Sequence, residues 1–134
     1  MGLEEFKGSG RILVMDDEEP IRRLLEMILA ELGYRTAFAA TGEECLAEYA
    51  AAMSRGEKYD LVLMDLTIAG GLGGKETIAE LLKLDPKAKA VVSSGYSLDP
   101  VMMDYKTFGF SGALGKPYLL KDLAAELKRL LPSQ

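Results

Sequence analysis

The sequence predicts a single α/β domain, a doubly wound parallel sheet of five strands with helices on both faces. Its 134 residues are the length of one compact domain and too short for two of ordinary size. Short apolar segments alternate along the chain with longer segments of helical periodicity. Strands separated by helical segments of about 10 to 15 residues favour parallel pairing through right-handed crossovers.

The predicted strands are the short apolar segments. The first, third and fourth are continuously apolar, which is typical of strands that are covered on both faces of a sheet. The five segments lie at residues 11–15, 34–38, 61–64, 90–92 and 113–114.

Five helices are predicted from apolar residues that recur every three or four positions. In the first, this spacing runs from Ile21 to Leu32, and Gly33 follows as a stop signal. The second begins after Thr41, whose hydroxyl can cap the first turn. The fourth is short and rich in methionine. The helices span residues 21–32, 42–53, 74–84, 100–105 and 120–131.

The composition excludes several classes of function. Sixteen basic against 21 acidic residues give a net charge of -5, which disfavours binding to a nucleic-acid backbone. The chain contains no histidine, so it can carry neither a Ser-His-Asp triad nor a phosphohistidine of its own. The single cysteine, Cys45, excludes an intrachain disulfide and is predicted to be a packing residue.

Two features of the sequence indicate where the folded domain begins and where in the cell the protein is expected. Residues 1–10 are polar and end in Gly-Ser-Gly, typical of a linker or a cloning remnant, so the folded domain is predicted to span residues 11–134. No apolar run approaches the roughly 18 residues that a membrane span needs, and the first residues do not resemble a secretion signal. We therefore expect a cytoplasmic protein without direct membrane contact.

Polar side chains follow four of the five predicted strands. Because ligands bind beyond the carboxyl ends of strands in an open parallel sheet, these side chains are expected to converge. Each residue alone could be a helix cap, a turn residue or a solvated charge, and their joint placement favours a site. The residues are Asp16, Asp17, Glu18, Glu19, Asp65, Ser93, Ser94 and Lys116. Glu18 and Glu19 are explained equally well as first-turn residues of the first helix.

Converging carboxylates raise one another's pKa or recruit a cation. Oxygen ligands without histidine or cysteine select a hard ion, and a small number of them favours Mg²⁺. A carboxylate nucleophile beside such an ion, with Lys116 as a fixed cation and a serine hydroxyl as a donor, is suited to phosphoryl transfer. The expected intermediate is an aspartyl phosphate.

Four segments of the chain resemble the receiver domain of two-component response regulators, and together they span residues 11–131. The resemblance implies a flavodoxin-like sheet with strand order 2-1-3-4-5. The stretch from Gly70 to Ser97 is most similar to receiver modules of hybrid sensor histidine kinases. The four segments are ILVMDDEEPIRRLL, YDLVLMDLTI, AVVSSGYS and GALGKPY.

The resemblance also implies a role for each matching residue. Asp65 would accept a phosphoryl group from a phosphohistidine of a sensor histidine kinase or phosphotransfer protein. Ser93 would be the switch hydroxyl, Lys116 would pair with the phosphoryl group, and the Lys116–Pro117 bond would be cis. The Mg²⁺ ligands would be Asp16 (mainly through water), Asp17, Asp65 and the backbone carbonyl of Thr67.

The chain departs from the family at three positions, one of which is Gly95, where no side chain reaches over the crevice. Ala69 stands where the family usually has proline and precedes a glycine-rich loop, which we expect to be more mobile. Ala113 stands where the family has an aromatic switch residue, so a rotating ring there cannot report the phosphorylated state. Three tyrosines could substitute or could be ordinary packing residues: Tyr96, Tyr105 and Tyr118.

The function predicted is that of a signalling phosphoacceptor and not of an enzyme, without nucleic-acid binding and with homodimer formation as an open possibility. One alternative is a haloacid dehalogenase-like, Mg²⁺-dependent phosphohydrolase. That chemistry normally uses a second acid two residues after the nucleophile, where this chain has Thr67. A receiver-like binding module that works without phosphorylation is the other alternative.

Overall fold

The structure is a computed structural model, and it describes residues 7–131. Over this range, five strands and six helices alternate along the chain. In chain order they are β1 (Arg11–Met15), α1 (Glu19–Glu31), β2 (Arg35–Ala39), α2 (Gly42–Ser54), β3 (Leu61–Asp65), α3 (Gly74–Leu84), β4 (Ala90–Ser94), α4 (Pro100–Met103), α5 (Tyr105–Phe108), β5 (Gly112–Gly115) and α6 (Leu120–Leu130).

The five strands form one parallel sheet in the order β2-β1-β3-β4-β5, which confirms the predicted topology. The register aligns the carboxyl ends of the three central strands. Met15 lies opposite Met64, and Asp65 lies opposite Ser93. The residues that follow β1, β3 and β5 therefore meet at one edge of the sheet.

Two apolar layers cover the two faces of the sheet. Because side chains alternate along a strand, β3 contributes Val62 and Met64 to one layer and Leu61 and Leu63 to the other. Every residue of β3 and β4 is buried, which explains why these strands are continuously apolar before their polar ends. Cys45 is buried in the first layer, as predicted, and burial raises the pKa of its thiol to about 12.

Most helix boundaries follow the local sequence signals. The hydroxyl of Thr41 accepts a hydrogen bond from the Glu44 N–H at 3.2 Å, which confirms the predicted cap of α2. Gly33 adopts a φ of +97° after α1, a conformation that favours glycine. Within the described residues, no helix combines the length and the apolar character needed to cross a membrane.

The prediction of five helices was wrong in one place. The expected fourth helix is two short helices, α4 and α5, because Asp104 between them has φ -127° and ψ 47°, outside the helical region. The Asp99 side chain caps α4, and Gly109, with a φ of +103°, ends α5.

The predicted lead-in, residues 1–10, and the predicted end of the domain at residue 134 lie partly outside the described residues. The described residues 7–10 run beside α1 and β2. The Gly8 N–H donates to the Leu32 carbonyl at 2.9 Å, and the Arg35 N–H donates to the Gly10 carbonyl at 2.9 Å. The start of the domain at residue 11 and its end at residue 134 stay predictions.

A buried carboxylate before β4 joins two helices and a loop. Asp85 accepts hydrogen bonds from the Tyr49 hydroxyl at 2.6 Å and from the Lys87 N–H at 3.1 Å. Lys58 Nζ lies 2.8 Å from Asp85 Oδ2. Burial alone would raise the pKa of Asp85, but the bonds from Lys58 and Tyr49 outweigh it and hold the pKa below its ordinary 3.8.

We expect Asp85→Ala to lower the free energy of unfolding by about 2 kcal/mol at neutral pH, because the buried Tyr49 hydroxyl loses its acceptor. The folded pKa is depressed, so this stabilisation is present above the unfolded pKa of about 4 and is lost as pH falls through the folded value. Urea unfolding at pH 7 and in acid measures both effects. The exposed Asp104→Ala should change the free energy by less than about 0.5 kcal/mol, and an equal loss in the two variants would contradict the prediction.

Candidate functional site

The carboxyl edge of the sheet forms a polar cavity of about 440 Å³. It is built where β1, β3, β4 and β5 end, so residues far apart in the sequence share its walls. Asp65 ends β3, and Lys116 follows β5. The lining residues that matter chemically are Asp17, Glu18, Asp65, Thr67, Ser94 and Lys116.

Lys116 bridges two carboxylates at this edge. Its Nζ lies 2.7 Å from Asp16 Oδ2 and 3.2 Å from Asp65 Oδ2. Burial alone would lower the pKa of Lys116, but the hydrogen bond to Asp16 and the charges of both carboxylates outweigh it and raise the pKa. The ammonium is therefore charged at neutral pH and fixed beside Asp65.

Asp65 is a buried carboxylate at the end of a strand, with 6% of its surface exposed. Burial raises its pKa, Lys116 acts in the opposite direction, and the nearby charge of Asp16 adds to the rise. Its Oδ1 accepts a hydrogen bond of 3.4 Å from the Thr67 N–H. The carboxylate faces the cavity and is held on a rigid element, as a nucleophile needs to be.

A cluster of acidic oxygens lies at one side of the cavity, which Asp17 and Glu18 line. One carboxylate oxygen each of Asp16, Asp17 and Glu18 lie within 4.8 Å of one another. The 1% exposed Asp16 accepts from Lys116 and from the Glu18 N–H, so its oxygens are already engaged. Asp17 Oδ2 accepts from the Ala69 N–H at 3.0 Å, which ties the loop after β3 to the cluster.

This donor set fits a hard divalent cation. All of its side-chain ligands are carboxylate oxygens, and the space beside Asp17, Asp65 and Thr67 leaves room for water, which Mg²⁺ usually retains. A cation there would also relieve the repulsion among the clustered carboxylates. Asp17 and Asp65 would hold it, together with the carbonyl of Thr67 and with Asp16 behind them.

The structure places Ser94, rather than the expected Ser93, on the cavity. Ser93 is 0% exposed, and its Oγ lies 2.6 Å from the Tyr118 hydroxyl on the face of the sheet covered by α1 and α6. Ser94 lines the cavity, and its Oγ accepts a hydrogen bond of 3.0 Å from the Tyr96 N–H. The prediction of Ser93 as the hydroxyl that faces the site is corrected accordingly.

Ser94 was expected at this edge together with Ser93, but the role of switch hydroxyl was assigned to Ser93. The prediction ended the fourth strand at residue 92, whereas β4 continues to Ser94. Ser93 and Ser94 are neighbours in β4, so their side chains point in opposite directions, and Ser94 is the one that lines the cavity. The sequence left Glu18 open between a helix-start residue and a site residue, and the structure places its carboxylate in the acidic cluster at the cavity.

The glycine-rich loop after Ala69 has more contacts than expected. The Leu72 N–H donates to Glu43 Oε1 at 3.0 Å, and the Gly42 N–H donates to the Leu72 carbonyl at 2.9 Å. These bonds fasten the loop to the start of α2, and the bond from Leu72 lowers the pKa of Glu43. The Lys116–Pro117 peptide on the other side of the cavity is cis, as the resemblance implied.

Comparison with known proteins supports the same interpretation. The sequence is 31% identical over 109 residues to the chemotaxis protein CheY of Thermotoga maritima, covering 81% of this chain and 86% of that protein. It is 30% identical over 130 residues to the sensor kinase CckA of Brucella abortus, covering 97% of this chain and 13% of that protein. The solved structure of the response regulator protein TrrA of Thermotoga maritima, in complex with Mg²⁺ and BeF, has a TM-score of 0.77 at 33% identity, covering 91% of this chain and 99% of that one.

The resemblance inferred from four short segments is confirmed. The hybrid-kinase subtype stays a prediction, because the chain spans only a small part of the sensor kinase that it matches. Residues 12–128 match the model of the response regulator receiver domain, so fold, site geometry and sequence agree, and the chain belongs to that family of signalling phosphoacceptors.

Proposed function

We propose that Asp65 accepts a phosphoryl group from the phosphohistidine of a sensor histidine kinase or a phosphotransfer protein. Receiver domains take part in two-component signalling with such partners and are generally not classed as enzymes. The observation that carries the proposal is the 3.2 Å contact of Lys116 Nζ with Asp65 Oδ2 in a cavity edged by acidic oxygens. A carboxylate oxygen of Asp65 attacks phosphorus, the P–N bond breaks, and the imidazole leaves and is protonated by solvent.

The other residues of the cavity support this transfer. Lys116 pairs with the phosphoryl oxygens and offsets their charge. Mg²⁺, when bound, supplies further charge neutralisation at the same oxygens. The hydroxyl of Ser94 donates to a phosphoryl oxygen after it leaves its contact with the Tyr96 N–H.

Mass spectrometry of the intact protein tests the proposal. Incubation with Mg²⁺ and a small phosphodonor such as acetyl phosphate is expected to add one phosphoryl group, which peptide mapping assigns to Asp65. Asp65→Asn should remain unmodified, and removal of Mg²⁺ with a chelator should abolish the mass gain. An unmodified wild-type protein would contradict the proposal and favour a receiver-like module that works without phosphorylation.

Ser94→Ala is expected to weaken binding of the phosphoryl analogue fluoroberyllate, in the presence of Mg²⁺, by about tenfold or more, because one hydrogen bond to a charged group is lost. Titration followed by calorimetry measures the affinity. The matched control is Ser97→Ala, an exposed serine that does not line the cavity. Equal affinities of Ser94→Ala and wild type would show that this hydroxyl does not contact the phosphoryl group.

The remaining expectations from the sequence stay predictions. They are the cytoplasmic location, the absence of nucleic-acid binding and the possible homodimer. The phosphohydrolase alternative would require multiple turnovers on a small phosphate ester, which a separate assay of phosphate release from such an ester measures. Single phosphorylation without such turnover supports the signalling role.

A further inference from the structure

The segment that carries Lys116 is fastened to the end of β4 by two consecutive serines. The Lys116 N–H donates to the Ser94 carbonyl at 2.9 Å. Two residues later, the Tyr118 hydroxyl lies 2.6 Å from Ser93 Oγ, and either oxygen can be the donor. The loop between β5 and α6 is therefore held at both sides of the cis Lys116–Pro117 bond.

Ser93 links this loop to the strand of the phosphoacceptor. The sheet register places Ser93 opposite Asp65, and the Leu66 N–H donates to the Ser93 carbonyl at 2.9 Å. Ser93 is completely buried, so its hydroxyl cannot exchange Tyr118 for bulk water. The Tyr118 ring packs against the apolar layer under α1 and α6, and burial raises the pKa of its hydroxyl to about 12, so it stays protonated at neutral pH.

Lysine has a long flexible side chain with many rotamers, so its ammonium is positioned only when its backbone is fixed. A reactive arrangement tolerates an error of only about 0.5 Å. The contact of Lys116 with Asp16 and Asp65 therefore depends on what holds the loop. Among the described residues, the Ser93–Tyr118 bond is the side-chain hydrogen bond that joins this loop to β4.

We propose that Tyr118 is a positioning residue that, through its hydrogen bond with Ser93, holds Lys116 Nζ between Asp16 and Asp65. This role of Tyr118 rests on the proposed function, because the position of Lys116 affects phosphoryl transfer only if Asp65 accepts the phosphoryl group. It also gives the buried Ser93 a role other than contact with the phosphoryl group. If the bond only satisfied the hydroxyls of Ser93 and Tyr118, its loss would lower the stability and leave the position of Lys116 unchanged.

Trace labelling of amino groups with acetic anhydride tests the position of Lys116 without any phosphorylation. In Mg²⁺-free protein, Tyr118→Phe and Ser93→Ala are each expected to raise the reactivity of Lys116 about fivefold relative to the exposed Lys121. The matched control is Tyr105→Phe, because the Tyr105 hydroxyl makes no hydrogen bond within residues 7–131. Reactivity of Lys89, which donates to the Leu130 carbonyl, reports general loosening and should not change.

The double variant Ser93→Ala/Tyr118→Phe separates positioning from stability. Both hydroxyls are gone, so no buried group is left unpaired and the urea midpoint should match that of the wild type. Lys116 labelling should still rise, and the maximal rate of phosphorylation by acetyl phosphate should fall about tenfold, within the range that misplacement by up to 1 Å produces. The double variant should be no slower than either single variant, since the same bond is lost in all three.

Three results would overturn the inference: wild-type labelling of Lys116 in Tyr118→Phe, an effect of Tyr118→Phe that Ser93→Ala does not share, or a wild-type rate in the double variant. A wild-type protein that takes no phosphoryl group on Asp65 would instead refute the proposed function. In that case the labelling still decides whether Tyr118 positions Lys116.

Discussion

Lys116→Met is expected to reduce the rate of phosphorylation of Asp65 by about a hundredfold and to lower the free energy of unfolding by about 3 kcal/mol at neutral pH. The two effects have one cause. Lys116 Nζ lies between Asp16 and Asp65, and both carboxylates are almost completely buried. Without the ammonium, two like charges face each other away from water.

The loss of stability in Lys116→Met should depend on pH. Burial already raises the pKa of Asp65 above its ordinary 3.8, and removal of the opposing Lys116 charge raises it further. A raised folded pKa gives stability that is present in acid and is lost as pH rises through the folded value. The difference between variant and wild type should therefore be largest near neutral pH and shrink toward about pH 4.

Urea unfolding in the presence of a chelator measures this difference at each pH. The matched control is Lys121→Met, an exposed lysine at the start of α6, which should change the free energy of unfolding by less than about 0.5 kcal/mol. A Lys116→Met protein as stable as the wild type at neutral pH would show that the two carboxylates do not need the ammonium.

Asp17→Asn is expected to abolish most of the stabilisation of the protein by Mg²⁺ and to weaken Mg²⁺ binding about a hundredfold. Asp17 and Glu18 are the two residues of the acidic cluster that also line the cavity beside Asp65 and Thr67. A ligand present at a hundred times its dissociation constant stabilises the folded state by about 2.7 kcal/mol. At that Mg²⁺ concentration the wild type should show this gain, and Asp17→Asn should show less than about 0.5 kcal/mol of it.

The effect of Asp17→Asn on the free energy of unfolding should change sign when Mg²⁺ is removed. Asp17 lies within 4.8 Å of carboxylate oxygens of Asp16 and Glu18, so its charge is repelled in the metal-free protein. The asparagine side chain of the variant retains an oxygen that can accept from the Ala69 N–H. We therefore expect Asp17→Asn to be slightly more stable than the wild type with a chelator and less stable with Mg²⁺.

Thermal and urea unfolding with and without Mg²⁺ measure this reversal, and calorimetry measures the affinity. Glu26→Gln, an exposed acidic residue on α1, is the control for a general effect of removing negative charge. If Asp17→Asn and Glu26→Gln respond equally to Mg²⁺, the ion binds elsewhere or acts only by screening.

The site could be predicted largely because a parallel sheet brings the ends of its strands together. Asp16, Asp17, Asp65 and Lys116 follow or end apolar segments that are easily recognised in the sequence, and all four lie at the same edge. The absence of histidine and of a second cysteine further restricted the metal ligands and nucleophiles that the chain can supply. Neither the convergence of these four residues nor the choice of chemistry required an accurate strand boundary.

The sequence by itself determined the alternation of strands and helices, the residue types at the strand ends and the acceptor chemistry that they allow. Only the tertiary structure decided that Ser94 faces the cavity, that Ser93 is bonded to Tyr118, and that Asp104 interrupts the fourth helical segment. The physical reason is that neighbouring side chains of a strand point to opposite faces, so choosing Ser93 in place of Ser94 selects the wrong face of the sheet. A contact such as that of Ser93 with Tyr118 depends on packing between distant segments, which local patterns do not encode.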